Sequence, residues 1–354
     1  MRLDHEEHPE LDSELLKRLV STPGVSGREE RIRDIIHKEM AELVDEVSVD
    51  RLGNVVGTRR GGEPSVMLCA HMDSIGFLVN HIDDKGYLGI SPVGGFDART
   101  LVSQRVLVAG RNDYIGLLSP STKPIHLLSQ EERNQVPKLE EFFVDLMLPA
   151  EEVKQNVAIG DPVSLLREPV VTDRAVTAPY LDDRLGVYVL IETLRRTADA
   201  KAELQAVVSV QEEVGLRGAA TSAFGLQPDI GVALDITVAT DLPGADREPT
   251  ARLGEGVAIG VMNASSISDP RLVQCFRDLA ARNGITHQVE VTHRGGTDAG
   301  AIQLSRAGVP VVTISTPVRY VHTANEMAFA SDINATVELM ARFLGAVGDL
   351  DLGW

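Results

Sequence analysis

Apolar residues recur at helical spacing through residues 11–21, LDSELLKRLVS, where they mark one face of a 3.6-residue period. After TPGVSG, Ser26 and Glu29 form a capping-box pattern that predicts a second helix over about 28–43. VDEVSVD and NVVGTRR alternate as strands about the Leu52-Gly53 turn, and VMLCA reads as a buried strand with its core at 67–70. From about 76 to 165 the texture changes to short β-like runs (GFLVNHI, GYLGISP, RVLVAG, YIGLLSP, EEFFVDLML, DPVSLL) punctuated by Gly, Pro and Asp. Within that stretch 149–156 is the one helical candidate, and 119–140 is a long polar loop. From about 170 helices and strands alternate again. The pattern predicts helix 183–197, strand 203–210, a short helix at about 216–224, strand 230–235, helix 270–283, strand 287–292, a helix of about 298–307 opened by GGTDAG, strand 309–315 and a final helix over 331–347. Such alternation implies an α/β fold with a mostly parallel sheet covered on both faces. The expected organisation is one discontinuous domain, 1–75 and 166–354, with a β-rich domain, 76–165, looped out of it.

Composition narrows the class. With 354 residues, 43% of them hydrophobic, the chain is too long for one ordinary core and long enough for two domains. The formal net charge of −18 argues against nucleic acid or an anionic membrane as a partner. It fits either a solvated acidic surface or an acidic cavity that attracts cations and peptide amines. Cys69 and Cys275 form no CxxC pattern and read as reduced core residues. The opening MRLDHEEHPELDSELL lacks the basic-then-apolar pattern of a signal peptide, and no run approaches the roughly 18 apolar residues of a membrane span. The expected location is the cytoplasm.

The candidate chemistry lies at the edges of apolar runs. His71 follows the strand VMLCA, Asp182 and Asp183 precede a helix, Glu212 and Glu213 follow strand 203–210, Asp235 closes strand 230–235, and His322 lies beyond strand 309–315. Open α/β sheets bind ligands outside the carboxyl ends of their strands, so several strand ends deliver metal-ligand types to one rim. Each has a plain alternative. His71 reads also as a satisfied core histidine, Asp182 and Asp183 as a helix cap, and the glutamate pair as a solvated turn. Two adjacent acids at an apolar boundary are nevertheless unwelcome without a cation. Imidazoles with shared and terminal carboxylates suit two divalent ions per subunit, zinc first, with cobalt or manganese also compatible. Asp73 stands at H-x-D spacing from His71, where a carboxylate fixes the tautomer of a metal-bound imidazole. Among the other histidines, His5, His8 and His37 fall in polar or helical surroundings, His81 and His126 in the β-rich stretch, and His287 and His293 beside strand 287–292, with His293 near the rim. GGTDAG, Gly295 to Gly300, either presents backbone N–H groups to an oxygen or is only a helix cap built on Thr297 or Asp298.

AHMDSIGFLV (70–79), LDDRLG (181–186), VQEEVGLRGA (210–219), ALDITVATDLPG (233–244), RGGTDAGAIQLSRAGVPVVTIS (294–315) and RYVHTANEM (319–327) together resemble the tetrahedral co-catalytic metallo-aminopeptidases. These are the group of glutamyl and deblocking aminopeptidases, some of which carry an older endoglucanase label. The resemblance spans almost the whole chain. It implies a phosphopeptidase-like three-layer catalytic domain with an inserted PDZ-like dimerisation domain. It implies that His71 and Asp235 hold one metal and Glu213 and His322 the other, with Asp182 bridging them through a cis peptide to Asp183. It implies Glu212 as general base and Asp73 as support for His71. It also implies peptide substrates with a free N-terminus and a homo-oligomer, from dimer to tetrahedral dodecamer. Two departures stand out: Ser74 where a glutamate is usual after H-x-D, and APYLDDR in place of a small-residue approach to LDD.

The activity so implied is removal of the N-terminal residue by a metal-bridging water that Glu212 deprotonates. The nearest rivals are a di-metal carboxypeptidase or amide deacylase of similar architecture. A glycosidase built on two carboxylates would have no use for His71 and His322, and 4% aromatic content is poor for sugar stacking.

Overall fold

A computed structural model describes residues 11–244 and 251–349. The chain opens with α1 (Ser13–Ser21) and α2 (Glu30–Met40), followed by strands β1 (Glu46–Val49), β2 (Val55–Arg59) and β3 (Gly62–His71). Six strands then close into an antiparallel barrel: β4 (Gly76–Ile82), β5 (Leu88–Val93), β6 (Gln104–Ala109), β7 (Asp113–Pro120), β8 (Phe142–Asp145) and β9 (Pro162–Leu165). Two short helices, α3 (Gln130–Arg133) and α4 (Ala150–Asn156), sit in the barrel's connections. The stretch 119–140 is therefore not all loop. Its start completes β7, and Ser129 and Glu132 close a capping box on α3.

The chain continues through β10 (Val170–Val171), β11 (Ala175–Ala178), α5 (Leu181–Arg196), β12 (Ala202–Ser209), α6 (Arg217–Leu226) and β13 (Ile230–Val238). It ends with β14 (Val257–Met262), α7 (Pro270–Arg282), β15 (His287–Val291), α8 (Ala299–Gln303), β16 (Val311–Val318), β17 (Glu326–Phe329) and α9 (Ala330–Ala346). The central sheet has eight strands in the order β1-β2-β12-β3-β13-β16-β14-β15. Its middle, β12-β3-β13-β16, is wholly parallel, and β14 joins β16 antiparallel. A separate small sheet, β10-β11-β17, lies beside it.

Alternation along β3 shows why the sheet is covered twice. Val66, Leu68 and Ala70 pack into a core with α1, α2, α5, α7 and α9. Met67 and Cys69 point the other way, into a smaller core with Ala219 and Ala223 of α6 and Ile302 of α8. The barrel has its own core, including Phe77, Val79, Leu88, Val106, Val144 and Val163.

Three sequence expectations need correction. Ser26 does not cap α2, because its hydroxyl donates to Asp73 Oδ2 at 2.6 Å instead. The helix after GGTDAG stops at Gln303 rather than 307, and Gly308 (φ +101°) turns the chain into β16. Strand β13 continues three residues past Asp235, because Ile236, Thr237 and Val238 stay paired with β16.

Candidate metal centre

Each candidate side chain is set by a local feature of its element. His71 is the last residue of β3 and is 2% exposed. Its Nδ1 lies 3.1 Å from the backbone oxygen of Asp73, which leaves Nε2 turned into the site. Asp73 does more than face His71. Its Oδ1 accepts from the Glu212 amide at 2.9 Å, and its Oδ2 accepts from the Glu213 amide at 3.2 Å and from Ser26. The acid after β3 therefore grips the turn after β12. That turn is left-handed at Gln211 (φ 56°), a conformation non-glycine residues rarely adopt. Burial alone would raise the Asp73 carboxyl, yet His71 and these donors hold it below the ordinary carboxylate range.

Asp182 and Asp183 divide the two roles that sequence left open. The peptide between them is cis, and both have non-helical backbone inside α5. Asp183 Oδ1 accepts from the Gly186 amide at 2.9 Å, and its Oδ2 from the His71 amide at 3.2 Å. It is the cap. Asp182 is left free to project into the site, with Oδ1 3.3 Å from His71 Nε2 and Oδ2 3.2 Å from His322 Nε2. His322 (φ 62°) also lies 3.3 Å from Glu213 Oε1.

Among the described residues, two groups are spaced to hold a cation: His71, Asp182 and Asp235, and Asp182, Glu213 and His322. In each, one ligand atom per residue lies within 4.8 Å of the others. Asp182 belongs to both, and Glu212 to neither, although its Oε2 is 3.8 Å from His71 Nε2.

The electrostatics fit divalent cations. Burial pushes the carboxyls of Glu212, Asp235 and Asp183 well up, and their mutual repulsion adds to this for Glu212 and Asp235. Burial opposes charge on His322, but Asp182 and Glu213 outweigh it and lift the imidazole to about 11. Glu213 Oε1 is buried and accepts no hydrogen bond. So many acids with an orphaned oxygen are costly alone and become favourable ligands around metal.

One buried acid, Glu326, escaped the sequence reading, and another, Asp298, was read there only as a helix cap. Glu326, on β17, accepts from the Asp182 amide at 3.0 Å and the His322 amide at 2.7 Å, so it ties two groups of the site together through their backbones. Burial, with the Asp182 charge, raises its carboxyl to about 8. Asp298 does not cap α8. Its Oδ2 accepts from Ser209 Oγ at 2.5 Å and from Cys69 Sγ at 3.2 Å. A resident carboxylate thus stands behind the GGTDAG turn, which weakens its reading as an anion cradle. No spacing signal marked either acid.

The site opens into a cavity of about 1160 Å³ that runs over the sheet from His71 and His322 to Thr237 and Glu290, with His293 at its edge. Ser74 does not line it. Ser74 Oγ instead donates to the Gly24 carbonyl at 3.3 Å. His37 lies in α2, and His81 and His126 lie in the β-rich stretch; His5 and His8 fall outside the described residues.

Known proteins match this chain over nearly its full length. A family profile described as M42 glutamyl aminopeptidase matches residues 53–339. The lysyl aminopeptidase of Pyrococcus furiosus is 34% identical over 352 residues, covering 96% of this chain and 99% of that one. An aminopeptidase structure from the archaeon Desulfurococcus kamchatkensis superposes with a TM-score of 0.89 at 37% identity and covers 94% of both chains. The Pyrococcus horikoshii TET1 peptidase, described as able to assemble into a tetrahedron or a large octahedral shell, superposes with a TM-score of 0.83 at 31% identity, covering 94% of this chain and 98% of that one.

Proposed function

The chain belongs to the M42 glutamyl aminopeptidase family and is a peptide-bond hydrolase, and from that premise we propose that it removes the N-terminal residue of peptides at a centre of two divalent ions. His71, Asp182 and Asp235 would hold one ion, and Asp182, Glu213 and His322 the other. The observation that carries this reading is the sharing of Asp182 between the two ligand groups, with its two oxygens turned to different imidazoles. When bound, such ions acidify a water and polarise the scissile carbonyl. Zinc is the first candidate for such a mixed N/O set, with cobalt or manganese compatible.

The protein's own groups do the rest. Glu212 stands beside the ligands without belonging to either group, and burial raises its carboxyl, which makes its ionised form a stronger proton acceptor. Both suit a base that takes a proton from water and returns it to the departing amine. Asp73 fixes the Glu212 and Glu213 amides, which keeps one side chain on the ligands and the other on the water. Asp73 is in that sense a positioning residue. The surplus of carboxylates receives the free α-amino group of the substrate.

We further propose that the barrel, taken as a domain of residues 76–165, is a PDZ-like assembly module inserted into a catalytic domain of residues 1–75 and 166–354, and that the protein works as a cytoplasmic homo-oligomer. Phe224, Ile267 and Leu304 support self-association. All three are exposed, and they are linked through Arg306 on the Phe224 carbonyl and Gln303 on the Ile267 carbonyl. Exposed apolar groups clustered in this way mark an interface. No helix among the described residues is long and apolar enough to cross a membrane.

The test is a peptide amide with a free N-terminus set against its N-acetylated twin. The proposal requires cleavage of the free form only. Equal cleavage of the acetylated form would point to a deacylase instead.

A further inference from the structure

Along the same cavity, beyond the ligand groups, lies a carboxylate that the reaction does not use. Thr237 follows Asp235 by two residues on β13, hence on the same side of the strand and about 7 Å further on. Its hydroxyl donates to Glu290 Oε1 on β15 at 2.6 Å. Glu290 is 7% exposed and lines the same cavity as His71 and His322. Thr237 is the one hydrogen-bond partner of its carboxylate among the described residues, and no cationic side chain there pairs with it. Burial raises its carboxyl, and no basic neighbour opposes the rise. Gly260, which pairs with Glu290 across β14 and β15, and Thr313, which pairs with Gly260, line the same cavity and are small enough to leave room for a long guest side chain. Apart from His71 and His322 at the ligand groups, the basic residues lining the cavity, His293 and Arg294, are exposed at its edge.

A purely structural role does not account for the charge. A glutamine could accept from Thr237 equally well without the cost of burying an unpaired carboxylate. A guest cation removes that cost. We propose that Glu290 is a specificity-determining residue that selects peptides beginning with lysine or arginine, its carboxylate receiving the ammonium or guanidinium of the first side chain. The inference rests on the aminopeptidase reading and deepens it. The net charge of −18 acts in the same direction, since it raises the local concentration of cationic peptides.

The experiment compares kcat/KM for lysyl, arginyl, norleucyl and glutamyl amides on the metal-loaded, full-length protein. Norleucine matches the lysine side chain closely but carries no charge. The lysyl and arginyl amides should exceed the norleucyl amide by about 10–100-fold, the range of a hydrogen bond to a charged group, and the glutamyl amide should be the poorest. In Glu290→Gln the lysyl-to-norleucyl ratio should fall to near one, chiefly through KM, and Glu290→Asp should restore part of it. Calorimetry should show the wild type binding free lysine more tightly than free norleucine. A wild type that prefers the norleucyl or glutamyl amide, or a ratio that Glu290→Gln leaves unchanged, overturns the inference while the aminopeptidase reading stands. Failure to hydrolyse any of the four amides overturns both.

Discussion

Glu212 and Glu213 are adjacent, alike in type and alike in burial, yet they stand in different relations to the ligand groups. The difference comes from Asp73, whose carboxylate takes both of their amides and fixes the turn on which they sit. Glu212→Gln should therefore keep metal content, checked by elemental analysis, while turnover falls by about 10²–10⁴; wild-type turnover would remove Glu212 from its role. Asp182→Ala should lose both ions, because Asp182 serves both groups, whereas Asp235→Ala should lose one. Stoichiometry near two in Asp182→Ala would contradict the bridge. Much of this was legible at the residue scale. His71, Asp182, Glu213, Asp235 and His322 could be read because each interrupts or ends an apolar run, where a charge demands a reason. Glu326 could not, and Asp298 was legible only as a helix cap, which it is not. Their partners are backbone amides and hydroxyls supplied by distant strands, and such pairing leaves no periodicity to read.

Helix ends carry the next level of the argument. The first turn of α5 works because Gly186 leaves room for Asp183: a Cβ there would collide with the Asp183 carboxylate. Gly186→Ala should cost roughly the loss of a cap, about 0.5–2 kcal/mol, measured by urea denaturation, and should weaken metal retention through the His71 amide. At the start of α2, Glu29 is buried and its carboxyl is raised to about 7 from 4.5. The folded state then holds a proton that the unfolded chain has released, so this group's contribution is full below pH 4.5 and is lost as pH rises through 7. Glu29→Gln should gain on the wild type by up to about 3 kcal/mol across that interval, and parallel pH–stability curves for the two proteins would refute it. Helices such as α1 and α7 were readable because one face is buried, and the central strands because burial on both faces leaves a continuous apolar run. Strand β14 was not, since its run VAIGVM is short and flanked by glycine and pairs antiparallel in an otherwise parallel setting. The β10-β11-β17 sheet was also missed, because its strands have only two to four residues.

Taken whole, the molecule places a crowd of buried acids where two layers of helices clamp a parallel sheet. Without cations that crowd opposes folding; with them it supports it. Divalent metal at about 100 times its Kd should add roughly 2.7 kcal/mol per site, a rise in Tm of about 3–4 °C for each, and Asp182→Ala should abolish most of the rise. The most direct measurement is a metal titration of the chelator-stripped protein, followed by release of the first residue from a peptide with a free N-terminus. The account predicts no release at the start, then activity that climbs and breaks at two equivalents of metal per chain. Full release by the stripped protein, or a break at one equivalent, would contradict it.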